Sequence, residues 1–181
     1  MATARYGVRP APDGLALVQD FLNTRAGDLT RTDLLSDATH ANLWGAPAVH
    51  SWSARRGTAS EPPALTEHDA AMLRDMRDAL DDTLAGGSVE TPLLDGVAGF
   101  KATGTNRISW LPTGFGWHWF GGAVLGEILL SQHTETWKRL KQCANAGCRA
   151  TFYDSSWDNS AVWHNGTTCA PSFADVGVQR T

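Results

Sequence analysis

Residues 143–169 read CANAGCRATFYDSSWDNSAVWHNGTTC, and this stretch holds all three cysteines of a 181-residue chain. Four residues separate Cys143 from Cys148, fifteen more lead to His164, and another four to Cys169. Tetrahedral zinc takes two pairs of thiolate or imidazole ligands, each pair carried on a tight turn. Asn145–Ala146–Gly147 and Asn165–Gly166 are expected to make those turns, because asparagine and glycine tolerate positive φ. An odd, clustered set of cysteines argues for metal and against disulfides. The expectation is one zinc ion held by Cys143, Cys148, His164 and Cys169. Four protein ligands leave no open position for water, so the ion is expected to be structural, folding a segment too small to bury its own core.

Upstream of the cysteines the pattern is mainly helical. Glu135–Gln142 reads as a short basic helix, Trp117–Leu130 as a mostly buried one, and Ile108–Leu111 before Pro112 as a strand. Thr66–Ala85 is the clearest helix. Thr66 and Asp69 form a capping-box pair, Leu65 and Ala70 stand at staple positions, and Leu73, Met76, Leu80 and Leu84 recur at helical spacing before Gly86–Gly87. Its charged face (Arg74, Asp75, Arg77, Asp78, Asp81, Asp82) reads as solvated surface. An amphipathic helix begins near Asp13 with Leu15, Val18 and Leu22 and is expected to end at Gly27. A second short helix spans Ser36–Trp44, and Gly45–Pro47 opens a loop to residue 63. Residues 1–12 look like a loose leader. The predicted class is therefore mainly α (α+β). Residues 1–137 would form a helical domain with a small β element, and residues 138–181 a zinc-ribbon-like module.

Composition bounds the function. No run of residues approaches the ~20 apolar positions that span a bilayer, and MATARYGVRPAPDG lacks an apolar export core, so a cytoplasmic protein with no membrane partner is expected. The net charge of −4 is uneven: residues 138–181 carry five basic side chains (Lys138, Arg139, Lys141, Arg149, Arg180) against three acidic ones (Asp154, Asp158, Asp175). With three thiolates and Zn²⁺ counted, that region keeps only about +1, a poor footing for a polyanion.

Two clusters are candidates for a ligand site. Trp117 and Trp119 flank His118 between glycines, in a chain with eight tryptophans. They could form an aromatic pocket with His118 as catalytic proton donor or acceptor and Glu127 or Asp20 nearby, or they could be a core helix with a satisfied histidine. Asp20, Asn23, Thr24 and Arg25 either cap the first helix and tie it to its neighbour or line a ligand site. Trp157, Trp163 and Phe173 are expected to wrap the zinc module and seat it on the first domain.

Residues 139–172 resemble the CGNR zinc finger. Arg139–Leu140–Lys141, Cys143–Ala144–Asn145, Cys148, Phe152–Tyr153–Asp154, Ser156, Ser160, Trp163 and Cys169 carry the likeness. Asp20–Phe21–Leu22–Asn23–Thr24 resembles the DFxNT element of the ABATE domain that precedes this finger, and Asp33–Leu34–Leu35 a further element of it. The resemblance implies a stress-induced transcriptional regulator with DNA as the finger's partner. The departures oppose that role. His164 stands at the third cysteine, Ala170–Pro171–Ser172 replaces Gly-Asn-Arg, and Trp157, Asn159, Ala161 and Val162 stand where arginines are usual. Each lost phosphate contact removes roughly one unit of salt-dependent slope in log K.

Three readings follow. The first is a structural-zinc protein that binds, and in its stronger form transforms, a small molecule in the helical domain. The second is a ligand-responsive DNA-binding regulator. The third is a protein–protein adaptor. The sequence specifies neither the ligand nor the oligomeric state.

Overall fold

A computed structural model describes residues 1–28, 30–86, 96–104 and 106–171. It is an α+β fold. Four helices, α1 (Leu15–Leu22), α2 (Ala38–Arg56), α3 (Glu67–Leu84) and α4 (Gly116–His133), form the body. A hairpin of β1 (Ala98–Thr103) and β2 (Arg107–Pro112) lies on α4, and a second small antiparallel pair, β3 (Leu140–Gln142) and β4 (Thr151–Tyr153), belongs to the C-terminal module.

Every residue of α1 is buried, so this short apolar helix is the post around which α2, α3 and α4 pack. It stops at Leu22, before Gly27, because the Asn23 and Thr24 N–H groups close the last turn onto Gln19 and Phe21. The N-terminal dozen residues are no loose leader. A 3-10 turn at Thr3–Tyr6 is tied down by the Asp20 carboxylate, which accepts from the Thr3 N–H at 2.8 Å, and Ala2, Tyr6 and Ala11 are buried.

Two local expectations give way to tertiary packing. α2 runs straight through Gly45–Pro47. Ala41, Trp44, Ala48, Val49 and Trp52 make one buried stripe on both sides of the proline, and that burial outweighs the one backbone hydrogen bond Pro47 cannot donate. Gly45 lets α2 pack closely on Phe120, since a Cβ there would sit 3.2 Å from that ring. Likewise Glu135–Gln142 is not a helix: a 3-10 turn at Trp137–Arg139 feeds β3, whose residues pair with β4.

The capping box of α3 is present, with Asp69 N–H donating to Thr66 Oγ1 and Thr66 N–H to Asp69 Oδ2. Asp69 also accepts the Trp117 N–H at 2.9 Å, capping α4, whose own N-cap residue Phe115 offers no side-chain acceptor. Leu65 and Ala70 are buried as the staple requires. Gly87, expected as part of the α3 stop, lies outside the described residues. The charged face of α3 is only partly solvated, for Arg77 and Asp81 are buried and bonded to side chains of other elements.

Candidate functional site

The turn after β3 carries Cys143 and Cys148. Asn145 shapes it: its carbonyl accepts from the Cys148 and Arg149 N–H groups, and its side chain accepts from Gly147 N–H at 3.0 Å. Asn165 repeats the device, accepting from Thr167 and Thr168 with its side chain and from Cys169 with its carbonyl. Both turns thus form where expected, but by asparagine capping. Positive φ falls on Arg149 (51°), not on Gly147 or Gly166. The Ala144 N–H bonds the Val162 carbonyl at 2.9 Å and brings the two turns together.

One ligand atom from each of Cys143, Cys148, His164 and Cys169 lies within 4.8 Å of the others. His164 Nδ1 is 3.3 Å from Cys148 Sγ and 3.5 Å from Cys169 Sγ. Tetrahedral zinc with its usual bond lengths sets sulfur and nitrogen ligands about 3.6 Å apart. The three cysteines are free thiols, buried with Tyr6 and Ala150. Burial pushes the Cys148 thiol up to about 12 and holds the His164 imidazole below its ordinary value. The buried Cys148 thiol needs a neighbouring cation before it can ionise, and a divalent zinc ion would supply it. The donor set therefore fits zinc in number, softness and spacing.

Residues 139–172 match the CGNR zinc finger family. The match covers the finger and not the helical body, and it agrees with the resemblance carried by the sequence. No curated protein and no solved structure matches the chain.

The finger is fastened to the helical body by groups the sequence did not single out together. Asn23 donates to the Thr151 carbonyl at 2.8 Å and accepts from the Thr151 N–H at 2.9 Å. Gln19, one turn earlier on α1, bridges Thr151 to Arg9 and Ala11. On α3, Asp81 receives Arg25 at 3.0 Å and, from the finger, Arg149 at 2.9 Å and Gln142 at 2.8 Å. The Gln19-x3-Asn23 spacing, which puts two amides on one face at the end of the first helix, was the available signal for this joint.

The finger's cations are engaged internally. Lys141 Nζ binds Asp154 and the carbonyls of Asn159 and Ala161, and Arg139 donates to the carbonyls of Asp154 and Ser156. Burial alone would raise the Asp154 carboxyl, but Lys141, Ser156 and the Ala161 N–H hold it well below the usual carboxylate range. Lys138 pairs with Glu135. Trp157 is 94% exposed and does not seat the finger, whereas Trp163 packs on the cysteine cluster. Phe173 lies outside the described residues.

The remaining candidate residues fall in three places. Asp20, Asn23 and Thr24 are buried and bonded: Asp20 to Thr3 and to Trp44 Nε1 (2.9 Å), Asn23 to Thr151, and Thr24 to Phe21 and Arg77. Arg25 pairs with Asp78 and Asp81. At the start of α4, exposed His118 stacks on Trp117 with ring centroids 3.9 Å apart, while Trp119 is buried edge-on against Trp52.

Glu127 is the third place. Nine residues along α4 from His118, it lies roughly 13 Å further down the axis and on the opposite face. It is 3% exposed and lines a recess of about 320 Å³ between α4, the end of α2 and the start of α1. Trp52 Nε1 donates to Glu127 Oε1 at 2.6 Å, and Arg56 Nε reaches the same oxygen at 3.3 Å. Arg56 also lies over the Trp110 ring, 5.1 Å from its centroid. A Cβ at residue 14 would fall 2.0 Å from Glu127 Oε2, so Gly14 is what lets the carboxyl rest against the entry to α1. Burial raises the pKa of this carboxyl despite Trp52 and Arg56. A wider groove of about 890 Å³ runs between the end of α3 and the finger, but Lys141 and Arg149 in its wall are already spent on Asp154 and Asp81.

Proposed function

We propose that this chain is a small-molecule-binding protein stapled by one structural zinc ion, that its ligand enters the Glu127 recess, and that its finger has given up gripping nucleic acid. The observation that carries the reading is the recess itself. A buried carboxyl with a raised pKa, at the floor of a cavity rimmed by Arg55, Arg56 and His133, is the combination that binding and catalytic sites use. If the chain also transforms its ligand, Glu127 is the group placed to hold or release a proton there, and His118 is not.

Two facts support the loss of the nucleic-acid role. The basic side chains described in the finger, Lys138, Arg139, Lys141 and Arg149, all spend their charge or hydrogen bonds inside the chain. Residues 157, 159, 161 and 162, where the resemblance leads one to expect arginines, carry no positive charge. Exposed Trp157 favours a second reading, in which the finger docks a protein partner.

The test is a thermal-shift screen of the zinc-loaded chain against metabolite-sized compounds. A ligand at about 100 times its Kd should raise Tm by roughly 5–10 °C, and Thr134→Trp at the rim should abolish the shift. If no compound shifts Tm while duplex DNA binds with submicromolar Kd at ~150 mM salt, the regulator reading replaces this one.

A further inference from the structure

Resting on the recess as a ligand site, we infer that its occupant is a compact zwitterion, an amino-acid-sized molecule whose ammonium group meets Glu127 and whose carboxylate meets Arg55 and His133. The charges are layered. Glu127 is the buried group at the floor, and Arg55 and His133 are exposed at the mouth. Among the described residues, both protein contacts to the Glu127 carboxyl go to Oε1. Oε2 lies against Gly14, which presents no side chain to occupy it.

A carboxylate oxygen of this kind accepts from a donor that brings its own charge, because a buried carboxylate is otherwise costly. An anion alone would meet Glu127 at the floor and be repelled. A cation alone would leave Arg55 and His133 unused and would face Arg56. Asp13 shares the rim and adds to the attraction for an ammonium group entering from outside. The volume holds about ten waters' worth of space, which limits the ligand to a short chain. Trp52 and Arg56 fix the carboxyl on one side, so its free oxygen is pre-oriented before the ligand arrives.

The experiment is calorimetric titration of the zinc-loaded chain with 4-aminobutyrate and 6-aminohexanoate, each beside its carboxylate-only and ammonium-only analogue. The better of the two zwitterions should bind about 10- to 100-fold more tightly than either analogue, the range expected for one charged hydrogen bond. Glu127→Gln, which keeps an oxygen for Trp52, should erase the advantage over the carboxylate-only analogue. Arg55→Ala, at an exposed position, should erase the advantage over the ammonium-only one. Equal binding of zwitterions and analogues, or an unchanged preference in Glu127→Gln, overturns the ligand class. If instead a neutral compound binds in a Thr134→Trp-sensitive way while neither zwitterion binds, the class falls and the recess stands as a ligand site. If nothing binds, both fall.

Discussion

The side-chain amide of Asn23 pairs with the backbone of Thr151 through two hydrogen bonds, 2.8 Å from its nitrogen and 2.9 Å to its oxygen. A helix side chain here does what a neighbouring strand would do for β4. Both residues are 1% exposed, so water cannot replace either bond. The position of the finger on the helical body is thereby written into the end of α1, where Asn23 serves this joint while Asp20 and Thr24 tie α1 to Thr3, Trp44 and Arg77.

Asn23→Ala should therefore leave the buried Thr151 N–H without its partner and the Thr151 carbonyl with only the 3.3 Å bond from Gln19. The expected cost is about 2 kcal/mol or more, a fall in Tm of roughly 4–8 °C in thermal denaturation, with zinc content unchanged. A Tm within a degree of the parent would mean that the joint is not a stabilising contact.

Pro47→Ala should stabilise the chain. α2 is already helical through this position, and alanine restores the missing donor at the expense of a looser unfolded state. The net gain should be about 1 kcal/mol, or 2–4 °C. A loss of stability would show that the ring's packing matters more than the helix bond.

Glu127→Gln separates two pH regimes. Burial raises the Glu127 pKa, so the folded chain holds that proton more tightly than the unfolded one. Its contribution is most favourable below the ordinary glutamate value of about 4.3 and is lost as pH rises through the folded value. The amide carries no such penalty. Relative to the parent, the variant's Tm should be higher at pH 8 than at pH 4, and the opposite trend would show that the Arg56 pair dominates.

Nucleic-acid binding should be weak. Fluorescence anisotropy with duplex DNA at ~150 mM salt should give a Kd no tighter than about 10 μM, within the non-specific range. Lys141→Ala should lower Tm through Asp154 and leave this Kd unmoved. A steep salt dependence, or a Kd that weakens in Lys141→Ala, would restore a phosphate contact to that side chain.

What could be read in advance was what is local in the chain. The Thr66–Asp69 box and the Cys143–Cys169 ligand set are defined by short spacings, and both are present. The resemblance of residues 139–172 holds for the same reason. What escaped depends on distant partners. Asp81 looked like one more carboxylate on a charged face, but Arg149 and Gln142 arrive from sixty or more residues away to bury it. The Gly45–Pro47 break failed because the Trp44–Trp52 stripe packs as one unit, and Trp157 was expected at an interface that Asn23, Gln19 and Asp81 supply. The Glu127 recess draws on α1, α2 and α4, and no spacing in any one of them announces it.

The zinc ion is expected to organise the finger and to do no chemistry. Native mass spectrometry of the purified chain, before and after dialysis against EDTA, with circular dichroism on both samples, tests this most directly. One zinc per chain is expected, bound through Cys143, Cys148, His164 and Cys169, with a cooperative loss of structure or a large fall in Tm once it is stripped. A chain isolated without stoichiometric zinc, or one whose fold and Tm are untouched by its removal, would contradict this.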